Sequence, residues 1–322
     1  MSASKASLKS VVATPTDAFL TPLDGDTAVI ACHFNPAGYH APRANLARFL
    51  TGMADVGAPL FMAELAFYGQ AFQTPGCART AHFRAGKEAI LFQKERLLNL
   101  VEKIVPPQFS KIVIWDADIL IPDFGWLVEV SRALDAYPVV HPFTRAILLG
   151  PEGREIGAKM SVGYAANNRF PDPLDVAIFH PGFGLAVRRD FFTQVGGLDG
   201  CVITGSGDTL AMIGALCKEP EERAFFRRHS RAWGAGQLEY CRRLYQFSGG
   251  RIGVLPADIH HLYHGSHANR AYLSRFDLTH QLDPDRDLRV NDDGITVWTA
   301  AAHAGDLPER MREYFFARRE DD

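Results

Sequence analysis

Apolar positions along this chain fall into two patterns, short unbroken runs and stripes at helical spacing. Thr27 to Phe34 is the first run, rich in small and branched residues and stopped by Asn35-Pro36-Ala37-Gly38, as a buried strand ending in a turn would be. Leu46, Phe49, Leu50 and Met53 then recur at helical spacing, and Pro59 to Phe67 reads as a second strand. A helix is predicted over Ala89 to Val105, with Ile90, Leu97, Leu98, Val101, Ile104 and Val105 as its buried stripe and Pro106-Pro107 as its stop. Lys111 to Trp115 is a third apolar strand that runs straight into Asp116-Ala117-Asp118 and a further triplet, Ile119 to Ile121. Strand, helix, strand, helix, strand is the order of right-handed crossovers, so the predicted class is α/β, with a central, mostly parallel sheet flanked by helices. Ligands of such sheets sit at the carboxyl ends of the strands, where Asn35, Glu64 and the two aspartates would all fall.

The second half is more mixed. Phe183 to Val187 and Arg251 to Leu255 read as strands, Arg189 to Val195 and Thr209 to Cys217 as helices, and Pro220 to Phe247 as a longer arginine-rich helical stretch. After Arg275 the chain turns Asp-rich and closes with an amphipathic helix from Leu307 to about Arg319. The expected organisation is a loose arm over residues 1–26, one domain over 27–275, and an extension over 276–322 whose helix packs on the domain.

Composition narrows the function classes. With 322 residues, 47% hydrophobic and 22% charged, the chain can bury one large core. A net charge of -3 and a pI near 6.5 lack the basic surplus of a non-specific nucleic-acid binder. No apolar run approaches the roughly 20 residues that span a bilayer, and Met1 to Asp26 has no apolar signal core, so the expected location is cytoplasmic. Cys32, Cys77, Cys201, Cys217 and Cys241 are scattered and odd in number, which fits reduced thiols better than a disulfide framework or a zinc ribbon.

Two carboxylates one residue apart, directly after a buried strand, need a cation or strong hydrogen-bond donors close by. Asp116 and Asp118 can meet that need around a divalent ion, one binding it directly and the other acting through water or a sugar hydroxyl. His260, His261 and His264 lie just past a strand, and neutral imidazole beside carboxylate makes a mixed site that suits Mn²⁺ better than Mg²⁺. Gly205-Ser206-Gly207-Asp208 opens a predicted helix, where Asp208 would serve as an N-cap in the plainest reading.

At these residues the chain resembles the GT-A glycosyltransferases, notably the large inverting family 2 and the galactosyltransferase C-terminal module of β-1,4-galactosyltransferases and polypeptide N-acetylgalactosaminyltransferases. Gly182 to Asp199, G-F-G-L-A-V-R-R-D-F-F-T-Q-V-G-G-L-D, is similar to that module's strand, helix and Gly-Gly-Phe-Asp turn, and G-S-G-D stands where the family usually has Gly-Glu-Asp. The resemblance implies a GT-A (Rossmann-like) fold and a metal-dependent transfer of sugar from a nucleotide donor, a UDP-sugar with Mn²⁺ or Mg²⁺, to an acceptor hydroxyl. Asp116 and Asp118 match the Asp-x-Asp pair, and Asp208 matches the general base of inverting members. His261 matches the metal histidine of one branch and His264 that of the other, so both stay open. Glu64 is similar to the acidic residue that recognises the nucleotide base, Lys94 and Arg96 would reach the nucleotide beside Asn35, and Gly182, Phe183, Gly205 and Ser206 would face the acceptor. The motif's glutamate is replaced here by Ser206-Gly207, which removes an acceptor-side carboxylate. The module also serves both retaining and inverting enzymes.

The acceptor is the least legible part. Arg223, Arg227, Arg228, Arg231, Arg242 and Arg243, interleaved with Phe225, Phe226, Trp233 and Tyr240, form the most basic stretch; a solvated helix face is the plain reading, a polyanion site the alternative. The latter makes a hydroxymethylated pyrimidine in phage-type DNA an acceptor candidate beside a glycan. Two other classes compete, a non-catalytic carbohydrate- or nucleic-acid-binding protein and a sugar nucleotidyltransferase. The second would need a better phosphate loop than Phe34-Asn-Pro-Ala-Gly38.

Overall fold

The computed structural model describes residues 13–121, 125–270 and 274–322. Its centre is a seven-stranded sheet of Thr27–Phe34 (β1), Leu60–Phe67 (β2), Thr80–Ala85 (β3), Lys111–Trp115 (β4), Val139–His141 (β6), Gly184–Arg188 (β10) and Gly253–Val254 (β11), in the order β11-β6-β10-β4-β1-β2-β3. Only β10 runs antiparallel to its neighbours. A second sheet, ordered β5-β12-β7-β8-β9, joins Ile119–Leu120 (β5), Asp258–His261 (β12), Arg145–Leu149 (β7), Glu155–Ser161 (β8) and Phe179–His180 (β9). Leu288–Val290 (β13) and Thr296–Trp298 (β14) form a hairpin. Among the described residues the longer helices are His40–Asp55 (α1), Lys94–Glu102 (α2), Trp126–Ala136 (α3), Gly207–Leu216 (α4), Arg231–Ser248 (α5) and Leu307–Ala317 (α6). None is long and apolar enough to cross a membrane.

The unbroken apolar runs follow from the layering. Phe61, Ala63, Leu65 and Phe67 of β2 pack into the core beneath α2, α4 and α5, while Leu60 and Met62 enter the core beneath α1 and α3. With both faces of the strand covered, a polar residue has a place there only if it is hydrogen-bonded, as Glu64 of β2 is by Gln73 and Thr74. One close approach is fixed by a glycine: a Cβ at Gly184 would lie 2.2 Å from the Trp115 ring on the paired strand β4.

Several elements differ from the sequence expectation. α2 begins only at Lys94, because the backbone before it bonds elsewhere: Phe92 N donates to Ile203 O at 2.8 Å and Trp298 Nε1 donates to Ile90 O at 3.3 Å. The arginine-rich stretch is not one helix but two short 3-10 turns followed by α5, which Ser230 caps by accepting from Trp233 N. β3 and β8 carry no apolar run and were not anticipated, nor was β7, whose short run Ala146 to Leu149 the sequence reading passed over. Pro15–Phe19, in the stretch read as a loose arm, is a 3-10 turn with Ala18 and Phe19 buried against α1. The five cysteines are free.

Candidate active site

A cavity of about 840 Å³ opens at the carboxyl ends of β1 and β4. The site is assembled by the junction of the two sheets. Past β4 the chain turns at Asp116-Ala117-Asp118 into β5, which pairs with β12 so that Ile119 lies opposite His261, and Leu262 N donates to Asp118 O at 2.9 Å. Residues about 140 positions apart in sequence are thereby brought side by side.

Asp118, His261 and His264 offer ligand atoms that all lie within 4.8 Å of one another. Asp118 Oδ2 is 2.9 Å from His264 Nε2 and 3.8 Å from His261 Nε2, and the two imidazole nitrogens are 3.2 Å apart. The chemistry of this set suits a divalent cation. Burial pushes His261 down to about 3, so at neutral pH its ring carries a free lone pair. Burial alone would raise the Asp118 carboxyl, but His261 and His264 outweigh it and hold the group below the usual range, hence ionised. Asp118 Oδ1 is shut off from solvent without a hydrogen-bond partner. A buried, charged, unpartnered oxygen beside two imidazoles fits a divalent cation, with Mn²⁺ or Zn²⁺ the ions such a nitrogen and oxygen set favours.

Asp116 takes a different partner. Its Oδ1 lies 2.6 Å from Lys94 Nζ, which also donates to both oxygens of Asp208 at 3.0 and 3.2 Å. Burial opposes the charge on Lys94, yet Asp116 and Asp208 together hold the ammonium well above its usual value. Burial raises Asp116 to about 6, with Lys94 opposing and Asp208 adding to the rise. The carboxylate pair is therefore divided: Asp118 faces the histidines, and Asp116 shares a lysine with Asp208. Asp208 sits in the first turn of α4 with 37% of its side chain exposed to the cavity.

Other expected residues fall out variously. Asn35 lines the cavity but also organises its own turn, donating to Tyr39 O at 2.7 Å and accepting from Tyr39 N at 3.1 Å. Phe183, with φ at +78°, stacks on His180 with ring centroids 3.7 Å apart, and its carbonyl accepts from Asp116 N at 3.1 Å. Ser206, with φ at +79°, accepts from Arg275 at 2.5 Å, and Gly205 also lines the cavity. Two non-glycine residues in the left-handed region within one site are a store of backbone strain. Gly182 does not line the cavity; it makes room, since a Cβ there would lie 2.6 Å from Asp208 Oδ2.

Two expectations are corrected. Glu64 is buried and turned into its own loop, accepting from Gln73 N at 2.7 Å, Thr74 N at 2.8 Å and Thr74 Oγ1 at 2.6 Å, so it has no free oxygen for a nucleotide base. Arg96 lies outside the cavity and donates to Thr296 Oγ1 at 3.2 Å, because one step along a helix rotates it away from Lys94 and Glu95.

The sequence reading missed Glu95, His180, Arg270, Arg318 and Glu320, all of which line the cavity. Only Glu95 left a signal, as a charge within one turn of Leu97 and Leu98 on a buried helix. Its carboxyl fills the space beside Gly207, where a Cβ would lie 1.9 Å from Oε1. Burial raises it to about 8, with Lys94 opposing. Folding therefore takes up a proton: the stability this carboxyl contributes is full below pH 4.5 and is lost as pH rises through about 8. Glu95→Gln should match the wild type in melting temperature near pH 5 and exceed it near pH 9; parallel melting curves across that range would contradict the assignment.

No protein-family model matches the chain, and no curated protein does. Among solved structures, it is similar to a mannosyltransferase of Pyrobaculum calidifontis in complex with GDP-Man and Mn²⁺, at 16% identity over 91% of this chain and 73% of that one, TM-score 0.43. It is similar also to S. aureus TarS 1–349 in complex with UDP-GlcNAc, at 12% identity over 91% and 73%, TM-score 0.42. A third is a Drosophila β1,4-galactosyltransferase 7 mutant in complex with manganese, UDP-Gal and xylobiose, at 12% identity over 71% and 65%, TM-score 0.34.

Proposed function

We propose that this chain is a metal-dependent glycosyltransferase of the GT-A type, moving a sugar from a nucleoside-diphosphate donor, a UDP-sugar, to an acceptor hydroxyl with inversion at the anomeric carbon. The observation that carries this reading is the convergence of Asp118, His261 and His264, with Asp118 Oδ1 unpartnered, in the same cavity as a second carboxylate, Asp208, that Lys94 ties to Asp116. Asp118, His261 and His264 would hold Mn²⁺, which supplies electrostatic stabilisation of the departing diphosphate. Asp208 accepts the proton of the attacking hydroxyl. Lys94 keeps Asp208 and Asp116 at fixed separation, and Asp116, free of the histidines, is available to the donor's hydroxyls. Phe183 and His180 give the sugar an apolar face to rest on.

A glycan hydroxyl is the acceptor this arrangement favours. Of the six arginines in the basic stretch, three are paired, Arg223 with Asp172, Arg242 with Glu221 and Arg243 with Glu239, which halves the charge open to a DNA backbone. A non-catalytic binder would have no use for an orphaned oxygen among imidazoles or for Asp208.

The test is thermal. A UDP-sugar at about 100 times its Kd should stabilise the protein by about 2.7 kcal/mol in the presence of Mn²⁺ and not in EDTA. Absence of any shift with UDP-, GDP- or other nucleotide sugars would overturn the donor reading, and lack of Mn²⁺-dependent donor hydrolysis would leave a binder. Duplex-DNA binding that falls steeply with salt would restore the hydroxymethylated-base acceptor.

A further inference from the structure

The residues after α6 end at the metal cluster, and they do so through contacts spread over two separate elements. Asp321 accepts from His40 N at 3.0 Å and Ala41 N at 2.7 Å, capping the first turn of α1, whose own N-cap residue Tyr39 makes no side-chain cap. Tyr39 Oη donates to Phe316 O at 2.6 Å and accepts from Arg319 N at 3.0 Å. On the other side the tail lies along Tyr263, His264 and Gly265. Tyr263 Oη donates to Asp322 O at 3.0 Å, and a Cβ at Gly265, where φ is +86°, would lie 2.9 Å from Arg319 O and Glu320 Cα. Between these two contacts Glu320, 8% exposed, brings Oε1 to 3.3 Å from His264 Nδ1, while Arg318 holds the same oxygen at 2.5 Å. Arg270 Nη2 lies against the same imidazole, 2.5 Å from Nδ1 and 2.6 Å from Nε2, and donates to His264 O at 3.1 Å.

We infer that Glu320 is a positioning residue for the metal site, and that Asp321 pins the tail so that Glu320 stays there; this rests on the metal reading above. The physical reason is charge and orientation. Arg270 and Arg318 bring two guanidinium groups to the edge of the site, and Glu320, paired with Arg318 and facing His264 Nδ1, offsets that positive charge and holds the ring with Nε2 toward Asp118 and His261, the direction a cation would occupy. Without Glu320 two uncompensated guanidinium groups would stand beside the ligand set and oppose a cation. The geometry also explains why the tail is anchored at α1 rather than at the histidines alone: the cap is independent of the metal, so the carboxylate is in place before the ion arrives.

The experiment is Mn²⁺ titration of the full-length protein, read by loss of the free-ion EPR signal, beside metal-free melting curves. Removal of such an outer partner typically costs about 10–100-fold in metal affinity, and Glu320→Ala should fall in that range. Glu320→Gln keeps the shape and removes the charge, so it should lose nearly as much, and it also serves if the alanine variant folds poorly. Asp321→Ala, which touches no ligand, should weaken Mn²⁺ as well, and Asp321→Asn less so. A metal affinity unchanged within about twofold in Glu320→Ala and Glu320→Gln, with the wild type binding Mn²⁺ normally, would overturn this inference alone. A wild type that binds no Mn²⁺ would overturn the metal reading together with it.

Discussion

Asp118→Ala is expected to abolish Mn²⁺ binding and to lower donor turnover by about 10³-fold or more, with the fold intact. The size follows from what the ion supplies. Charge stabilisation at a departing diphosphate is worth several kcal/mol, and each 1.36 kcal/mol is about tenfold in rate. Asp118 is the one carboxylate within the cluster, so its loss leaves two imidazoles and no negative charge to offset the cation's own desolvation. In the metal-free protein the same change removes a 2.9 Å contact to His264 and also an unpartnered buried oxygen, effects of opposite sign. The metal-free melting temperature should therefore move by no more than about 5 °C. Mn²⁺-stimulated donor hydrolysis at wild-type rate in this variant would show that the cation, if needed at all, binds elsewhere.

His261→Ala tests the same site from the other element. Since β12 is registered on β5 by its backbone, the side chain can be removed without moving Asp118, and the loss should be one of affinity before rate. Saturating Mn²⁺ should restore more turnover to His261→Ala than to Asp118→Ala. The difference reflects charge: a missing neutral ligand can be replaced by water, whereas a missing anion cannot.

How much of this was legible in the sequence depended on whether a feature is set by neighbours along the chain or by neighbours in space. β1, β2 and β4 were readable because strands covered on both faces are apolar at most positions, and the carboxyl-end rule then put Asp116 and Asp118 at the cavity. β3, half-exposed and written Thr-Ala-His-Phe-Arg-Ala, carries no such run. Glu64 was expected at the end of its strand but lies inside β2, and its carboxylate is taken up by Gln73 and Thr74, nine and ten residues downstream, a pairing that local sequence does not announce. Glu320 left no trace at all, being one acid among several near the chain's end. Its role arises only where the tail crosses α1, roughly 280 residues back.

Asp208→Asn should keep Mn²⁺ and donor affinity at wild-type levels and lose about 10²–10⁴-fold in transfer. Asparagine matches aspartate in shape, fits the space Gly182 leaves beside it, and can still accept from Lys94 through its amide oxygen. It cannot take a proton at neutral pH. The substitution thus separates the two halves of the reaction, because donor binding depends on Asp118 and the histidines and only deprotonation of the acceptor depends on Asp208. Acceptor-stimulated release of nucleoside diphosphate, measured with a panel of simple glycosides, should fall while donor KM stays fixed. Wild-type release would remove Asp208 from the role and point to Asp116, the other carboxylate on Lys94. That residue is 2.6 Å from the ammonium and already raised to about 6, so the variant pair Asp208→Asn and Asp116→Asn distinguishes the two. Loss of donor affinity in Asp116→Asn with transfer lost only in Asp208→Asn is the expected split.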